Sequence, residues 1–222
     1  MNYFFLSKTS LFHGIQETEN AAMASCLDAR ERKYKKDEIV LRAGTAVSEV
    51  GLVLSGSVNL VVYSYWGDAR IFARAVSGQI FAENNAASPG QELIYNVVAS
   101  EDSSVLFLNM VKILTTCRNG CPFHARTIQN LLRIFAQRNQ ELYSRMRHTA
   151  PKSLRGRLLS YLSEQATICG SARFTIPFNR QQLADYLGVD RSAMSNELSK
   201  MQKEGLIRFR KNVFTLSDVK PF

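Results

Sequence analysis

Five polar side chains that suit the edges of nucleic-acid bases recur along one predicted helix near the carboxyl end of the chain. They are Arg191, Ser192, Ser195, Asn196 and Lys200. Arginine offers two parallel donors to guanine, and asparagine offers a donor and an acceptor to adenine. The opposite face carries Met194, Leu198 and Met201 at helical spacing, which core packing alone would also require. The polar types on the outer face favour DNA binding over a plain protein-interaction module.

Two capped helices and a tight turn are predicted to hold this face. Asn179 is a good N-cap for the first helix, and Gln182 is placed to complete a capping box. Gly188 ends that helix and Asp190 caps the second one. Gly205 then takes the position at which a left-handed residue commonly ends a helix. This stretch therefore predicts a helix-turn-helix.

A predicted β-hairpin follows the second helix. Leu206–Arg210 and Val213–Leu216 alternate like strands around Lys211-Asn212, a turn in which asparagine tolerates a positive φ. The hairpin extends the motif to a winged helix-turn-helix, and basic residues of the wing are expected to contact phosphates. The remaining candidate DNA contacts, all basic, are Arg180, Arg210 and Lys211.

Positive charge is concentrated in the half of the chain that contains this motif. The formal net charge is +9, but residues 1–121 contain 11 Lys/Arg against 12 Asp/Glu, whereas residues 122–222 contain 17 against 7. A DNA-binding half joined to a nearly neutral half has this distribution. This distribution argues against an alternative hypothesis, a small-molecule sensor whose C-terminal domain binds another protein, because a protein-binding face needs no such excess of positive charge.

The sequence favours a cytoplasmic protein with reduced thiols. The apolar run at Tyr3–Leu6 is far shorter than a signal peptide requires, and no run approaches the length of a membrane span. The four cysteines, Cys26, Cys117, Cys121 and Cys169, are too sparse for a disulfide framework.

No metal site or cofactor is predicted. An iron–sulfur cluster needs about four converging thiolates, and only Cys117 and Cys121 are close in sequence. His13, His124 and His148 are isolated near predicted helix ends, so a haem ligand stays open but nothing argues for one. An enzyme is a distant third hypothesis, because no nucleophile–base pair or phosphate-binding loop is present.

The amino-terminal half is predicted to be a compact antiparallel β-roll of the jelly-roll type. Residues 7–33 have helical spacing, and β-rich runs punctuated by glycines follow. The predicted strands are Glu38–Arg42, Val50–Leu54, Val58–Tyr65, Arg70–Ala75, Ile80–Ala82, Ile94–Ala99 and Val105–Leu108.

A long helix is predicted to begin at Pro122 and to end near Arg147, before Pro151. Its a and d heptad positions are Ala125, Ile128, Leu132, Phe135, Asn139, Leu142 and Met146. A seam with a single asparagine favours a two-stranded pairing, hence a homodimer. The alternative is a single amphipathic helix lying on the roll. Leu131 and Tyr143 fall outside the seam and could pack on the roll at the same time.

These elements predict an α+β chain with a sensor roll at residues 1–121, a dimerisation helix at 122–150 and a winged helix-turn-helix domain at 151–222. This order resembles the CRP/FNR superfamily of bacterial transcription regulators. The resemblance is carried by Gly44, Val50-Gly-Leu-Val-Leu-Ser-Gly-Ser-Val-Asn-Leu60, Arg180, Leu183-Ala-x-x-Leu-Gly-Val-x-Arg191 and Glu204-Gly-Leu-Ile207.

The resemblance implies a homodimeric, effector-responsive regulator that binds a near-palindromic duplex operator and has RNA polymerase as a partner. It places Arg191, Ser192, Ser195 and Asn196 at the family's base-reading positions. Many members have Glu where Ser192 stands and Arg where Asn196 stands, so the family's common half-site is not expected here.

The resemblance also bears on the effector, which is an unidentified small molecule. Nucleotide-binding relatives use a Gly-Glu pair and, about ten residues later, an Arg-Ser pair that holds the cyclic phosphate. Here Glu83 is retained, but Ala82 replaces the glycine, and Leu93 and Ile94 replace the Arg-Ser pair. Cyclic AMP is therefore not expected to bind in the family's usual way, unless Arg70 or Arg74 supplies the missing charge. The predicted pocket residues are Phe72, Arg74, Phe81, Glu83, Leu93, Ile94 and Tyr95.

Overall fold

The computed structural model describes residues 2–115 and 122–217 of the chain. It contains two compact units, Met1–Ala136 and Gln137–Phe222. None of the helices within the described residues is both long and apolar enough to cross a membrane. Cys117 and Cys121, the closely spaced cysteines of the sequence, lie outside the described residues.

Two four-stranded antiparallel sheets form the body of the first unit, as the sequence predicts. Their strands are β1 (Arg30–Tyr34), β2 (Ile39–Leu41), β3 (Glu49–Ser55), β4 (Ser57–Tyr63), β5 (Ala69–Val76), β6 (Ile80–Phe81), β7 (Asn96–Ala99) and β8 (Ser103–Asn109). One sheet has the order β1-β8-β3-β6 and the other has the order β2-β7-β4-β5.

Strand β8 is buried on both faces, which explains its continuous apolar run. Leu106 and Leu108 belong to the core that packs against the helices of the unit. Val105 and Phe107 point the other way, into a second core between the two sheets. A strand covered on both faces has no solvent-facing positions, and its sequence therefore loses the polar alternation of a surface strand.

Four short helices accompany the sheets: α1 (Tyr3–Lys8), α2 (Glu17–Cys26), α3 (Glu83–Ala86) and α4 (Met110–Leu114). The single helix predicted over residues 7–33 is wrong. Gly14 adopts a positive φ of 76° between α1 and α2, and a capping box at Gln16 and Glu19 starts α2 afresh. Strand β1 then occupies the end of the predicted helix. Its sequence, RERKY, is almost entirely exposed and carries no apolar period.

Each predicted strand of the first unit differs from the observed one by one or two residues at one or both ends. The strand predicted to end at Ala82 stops at Phe81, because Ala82 turns into the left-handed region with φ 59°. The strand predicted from Ile94 begins at Asn96, and that predicted to Tyr65 ends at Tyr63. The β4–β5 hairpin loop therefore contains Tyr65 and Trp66, whose rings meet edge to face at 5.9 Å.

Helix α5 (Pro122–Thr149) begins at the predicted proline, and its chain passes from the first unit into the second. Leu131 is buried in the helix-side core of the first unit, as the sequence suggested. Asn130 fixes the same turn, since its Nδ2 donates to the carbonyl oxygens of Leu11 at 3.0 Å and His13 at 2.8 Å. The side chain of Tyr143, also predicted outside the seam, is 60% exposed.

The second unit is the predicted winged helix-turn-helix. After α5 it contains α6 (Leu154–Cys169), β9 (Arg173–Thr175), α7 (Arg180–Leu187), α8 (Arg191–Lys203), β10 (Ile207–Arg210) and β11 (Val213–Leu216). The three strands form one antiparallel sheet of order β10-β11-β9. The predicted caps are present: Asn179 and Gln182 form a capping box, and Asp190 accepts the backbone N–H of Ala193.

A group of polar side chains joins the last turns of α5 to α6 and α7. Glu164 of α6 accepts hydrogen bonds from Ser144 at 3.0 Å and Arg147 at 2.8 Å, and lies 2.6 Å from Nε2 of His148. The other ring nitrogen of His148 is 2.8 Å from the hydroxyl of Tyr186 on α7. We call these five residues the Glu164 cluster. His148, isolated in the sequence, therefore has two partners in the fold.

Candidate functional site

Helix α8 presents the polar face that the sequence predicts. Met194, Leu198 and Met201 are completely buried in the core of the second unit. Of the five DNA contacts predicted on α8, four have exposed side chains: Arg191, Ser192, Asn196 and Lys200. The fifth, Ser195, is half-buried. The apolar stripe thus fixes the rotation of the helix and leaves the polar residues available to a ligand.

The hydroxyl of Ser192 is already engaged within the protein. It donates to Oδ1 of Asp190 at 2.5 Å, and the same oxygen accepts the backbone N–H of Ala193. The Ser192 hydroxyl, followed by the Ala193 backbone N–H, lowers the pKa of Asp190 below its ordinary value. Ser192 therefore acts as part of the helix cap, which leaves Arg191 and Asn196 as the exposed hydrogen-bonding groups of the first turns.

The wing turn differs from the prediction in which residue carries the unusual backbone. Lys211, not Asn212, has a positive φ, of 55°. Asn212 instead ties the wing to the segment before α7, since its Nδ2 donates to the carbonyl of Ile176 at 3.2 Å and its carbonyl accepts the Ile176 N–H at 2.9 Å. The turn exposes the side chains of Arg210 and Lys211.

Arg180, one of the predicted DNA contacts, stacks on two aromatic rings of the wing. Its guanidinium carbon lies 4.8 Å from the ring centre of Phe209 and 5.2 Å from that of Phe214. Burial lowers the pKa of Arg180 from its ordinary value. A planar guanidinium stacks well on aromatic faces, so this side chain packs the wing onto α7 and is half-buried.

Two arginines of α6 that the sequence reading missed organise the motif. Arg157 donates to the carbonyls of Leu187 at 3.2 Å and Gly188 at 3.4 Å, at the turn between α7 and α8. Arg155 binds Glu197 of α8 and Glu204, the residue that caps the C-terminus of α8. The sequence signal for this contact was the seven-residue spacing of the two glutamates, which corresponds to two helical turns and places both on one side of the helix.

The interior of the roll is filled by apolar side chains. Phe81 and Leu93 are buried in the core between the sheets, and the ring of Phe81 lies so close to Gly51 that a Cβ there would come within 2.2 Å of it. Glu83 is also buried, whereas Ile94 is 78% exposed. Leu93 and Ile94, predicted to line one pocket, therefore face different surroundings.

Arg74 lies on the outer face of its sheet. Its strand neighbours Ala73 and Ala75 pair with Leu60 and Val58, which point into the core between the sheets, so Arg74 points away from that core. The guanidinium donates to the hydroxyl of Ser57 at 2.7 Å and lies 3.6 Å from Glu101. The remaining predicted pocket residues, Phe72 and Tyr95, meet edge to face at 5.1 Å, and Arg70 is exposed.

The predicted dimer seam lies partly in solvent. Leu132 and Leu142 are each 62% exposed and Met146 is 64% exposed. Ala125 and Asn139 are also exposed, whereas Ile128 is half-buried. Phe135 is half-buried because it packs against the helix-side core of the first unit.

The cysteines and histidines do not come together among the residues that the structure describes, where no group of three or more potential metal-binding side chains occurs. Cys169 is exposed at the end of α6 and Cys26 is half-buried at the end of α2. His13 is exposed and His124 is buried on the first turns of α5.

Two protein-family profiles match the chain, one in each half. Residues 31–119 match the cyclic nucleotide-binding domain, and residues 156–220 match the Crp-like helix-turn-helix domain. The chain belongs to the CRP/FNR superfamily. It is a regulator of the CRP/FNR type, with an effector-binding domain followed by a helix-turn-helix DNA-binding domain.

Solved structures of CRP/FNR proteins share this fold. The chain is 12% identical to CprK complexed with OCPA, with a TM-score of 0.63 over 89% of this chain and 91% of that one. It is 21% identical to a CooA mutant from Carboxydothermus hydrogenoformans, with a TM-score of 0.55 over 88% and 86% of the two chains. It is 16% identical to the c-di-GMP responsive regulator CLP from Xanthomonas campestris, with a TM-score of 0.55 over 89% and 98%. The comparison with curated proteins gives no match.

Replacing Lys211 by glycine tests the strained wing turn. We expect Lys211→Gly to raise the free energy of unfolding by about 0.5–1 kcal/mol, because glycine adopts a positive φ without a Cβ penalty. The same variant loses a basic group of the wing and should bind all DNA sequences more weakly. Denaturant unfolding and duplex titrations measure the two effects.

Lys211→Ala is the matched control, since it removes the same charge but keeps a Cβ at the left-handed position. It should lose as much DNA affinity as Lys211→Gly without gaining stability. Equal stability of the two variants would contradict the backbone strain assigned to Lys211.

Proposed function

We propose that the protein is a homodimeric, effector-responsive transcription regulator that binds a near-palindromic operator through α8. The observation that carries this proposal is the exposed polar face of α8. The helix is capped at its N-terminus, and the apolar stripe on its opposite face is fully buried. The excess of 17 Lys/Arg over 7 Asp/Glu in residues 122–222 supports DNA over a protein as the partner of this face. The alternative, a sensor whose C-terminal domain binds a protein, lacks a reason for that excess.

In this proposal Arg191 reads a guanine and Asn196 reads an adenine, because each can make a bidentate contact to that base in the major groove. Lys200, Arg210 and Lys211 contact phosphates, which adds affinity without sequence information. Ser192 contributes little to discrimination, since its hydroxyl is donated to Asp190. The half-site therefore differs from that of relatives with Glu and Arg at positions 192 and 196.

Dimerisation through α5 is supported by the exposure of the seam. Leu132, Leu142 and Met146 present a row of apolar side chains at heptad spacing, and a second copy of α5 would cover them. Two helix-turn-helix units related by a two-fold axis address half-sites about 34–36 Å apart, one turn of the duplex. We include RNA polymerase as a partner on the strength of the family alone.

The proposed effector is a small molecule other than cyclic AMP. Leu93 takes the position at which nucleotide-binding relatives carry arginine, and it is buried among apolar residues. A phosphate desolvated there would lack a guanidinium partner, which is costly. An uncharged or partly apolar effector fits these surroundings better. No cofactor is proposed.

Arg191→Ala tests the reading face. The operator is first selected from a randomised duplex library with the parent protein. We expect the variant to lose about 1–3 kcal/mol of binding free energy on that duplex and to lose its preference at one base position. Affinity measured for the selected duplex and its single-base variants gives both quantities.

Arg210→Ala is the control for that experiment. A phosphate contact should weaken binding to all sequences alike and lower the salt dependence by about one counterion. Arg191→Ala protein that kept the parent's affinity and base preference would contradict the proposed reading face.

Leu142→Asp tests the dimer without disturbing a core, because this side chain is 62% exposed. A charge buried in a two-stranded seam is uncompensated, so we expect monomers in sedimentation analysis and weak operator binding. Tyr143→Asp is the matched control, since Tyr143 is similarly exposed on the same helix but lies outside the seam. A dimer that persists in the Leu142→Asp protein would remove the seam from the proposal.

Calorimetry with cyclic AMP and cyclic GMP tests the effector proposal. Neither nucleotide should bind at micromolar concentration, because the cyclic phosphate has no guanidinium at Leu93. Micromolar binding of either nucleotide would refute the proposal. Loss of that binding in an Arg74→Ala variant would then identify Arg74 as the cation.

A further inference from the structure

One guanidinium connects α6 to the flank of the recognition helix α8. Arg155, in the first turn of α6, donates from Nε to Oε1 of Glu197 at 2.6 Å. Its Nη1 and Nη2 donate to the two carboxylate oxygens of Glu204 at 2.7 and 2.8 Å. The contact to Glu204 is thus the bidentate fork that fixes both distance and angle between two side chains.

The apolar stripe of α8 cannot supply that directional information by itself. Met194, Leu198 and Met201 bury the correct face, but apolar contact is non-directional and tolerates small rotations and shifts along the axis. Glu197 lies in α8, and Glu204 caps the C-terminus of the helix seven residues later; Arg155 binds both. A rigid fork that grips a helix at two points two turns apart opposes both rotation and sliding.

We propose that Arg155 is a positioning residue for base reading, which fixes the rotation and axial position of α8 and therefore the places of Arg191 and Asn196. This inference rests on the proposed function and deepens it. Arg155 touches no base; it acts through the two glutamates.

The surroundings distinguish this network from an ordinary surface ion pair. The side chain of Glu197 is only 17% exposed, that of Arg155 is 35% exposed and that of Glu204 is 46% exposed. Arg155 donates to two carboxylates at once and, with its hydrogen bonds, keeps the pKa of Glu204 below its ordinary value. Geometry of this kind, bidentate and shared by several charges, is where ion pairs act beyond the weak level of isolated exposed pairs.

Two variants with opposite charge changes test the proposal on the full-length protein. Arg155→Gln removes a positive charge, and Glu204→Gln removes a negative one. The probes are the duplex selected by the parent protein from a randomised library and a random duplex of equal length. The specificity ratio is the affinity for the first divided by the affinity for the second.

We expect both variants to lower the specificity ratio about tenfold, comparable to one mismatched base pair. Their affinities for the random duplex should move in opposite directions, because one variant gains and the other loses net negative charge. A purely electrostatic role would leave the ratio unchanged in both. Combining the two substitutions should lower the ratio no further than either one alone, because the two residues act through one contact.

Arg173→Gln is the matched control, since Arg173 is an exposed arginine of β9 in the same unit. It should change both affinities alike and keep the ratio. All proteins are measured well below their unfolding temperatures, and helical content is checked by circular dichroism. If Arg155→Gln fails to fold, Glu204→Gln and Arg155→Lys carry the test, because each keeps part of the network.

Ratios within twofold of the parent in the folded variants would overturn the role of Arg155 while leaving the DNA-binding proposal intact. A parent protein that selects no preferred duplex would overturn the proposed function and this inference together.

Discussion

Burial of the apolar stripe of α8 is the interaction on which the DNA-binding face depends. Met194, Leu198 and Met201 can be buried in only one rotation of the helix, and that rotation places the polar side chains outside. The caps at both ends, the wing that closes beside it and the arginines of α6 refine this arrangement. Each of these contacts depends on the packing of the stripe, because the packed stripe fixes the position of α8 and therefore the distances from α8 to its partners.

Elements governed by local rules could be predicted from the sequence, and contacts between distant residues could not. Capping residues and the 3.6-residue period predicted α7 and α8 closely. Strand β1 was missed because its exposed, charged residues carry no period, and it is held by pairing with β8, 69 to 77 residues further along the chain. The stacking of Arg180 and the network of Arg155 depend on side chains that only the closed fold brings together. At the wing, the sequence predicted the turn but not which residue has the positive φ, which is Lys211 and not Asn212.

The count of 17 Lys/Arg in residues 122–222 overstates the number of cations that this half of the chain offers to DNA. Arg147 is paired with Glu164, and Arg155 is paired with two glutamates. Arg157 donates hydrogen bonds to backbone carbonyl oxygens, and Arg180 stacks on aromatic rings. These arginines build the domain. The guanidinium and ammonium groups that remain exposed on α8 and the wing are fewer than the Lys/Arg of this half of the chain. Their positions, more than their number, determine how a duplex is bound.

The loop between β4 and β5 has a practical consequence for spectroscopy. Trp66 is the only tryptophan of the chain, and at 86% exposure its indole stands in solvent at the tip of the hairpin. Intrinsic fluorescence excited at the indole band therefore comes from one known place in the first unit. A blue shift or a change in quenching would record directly that something has covered this hairpin, without a label and without a contribution from the helix-turn-helix.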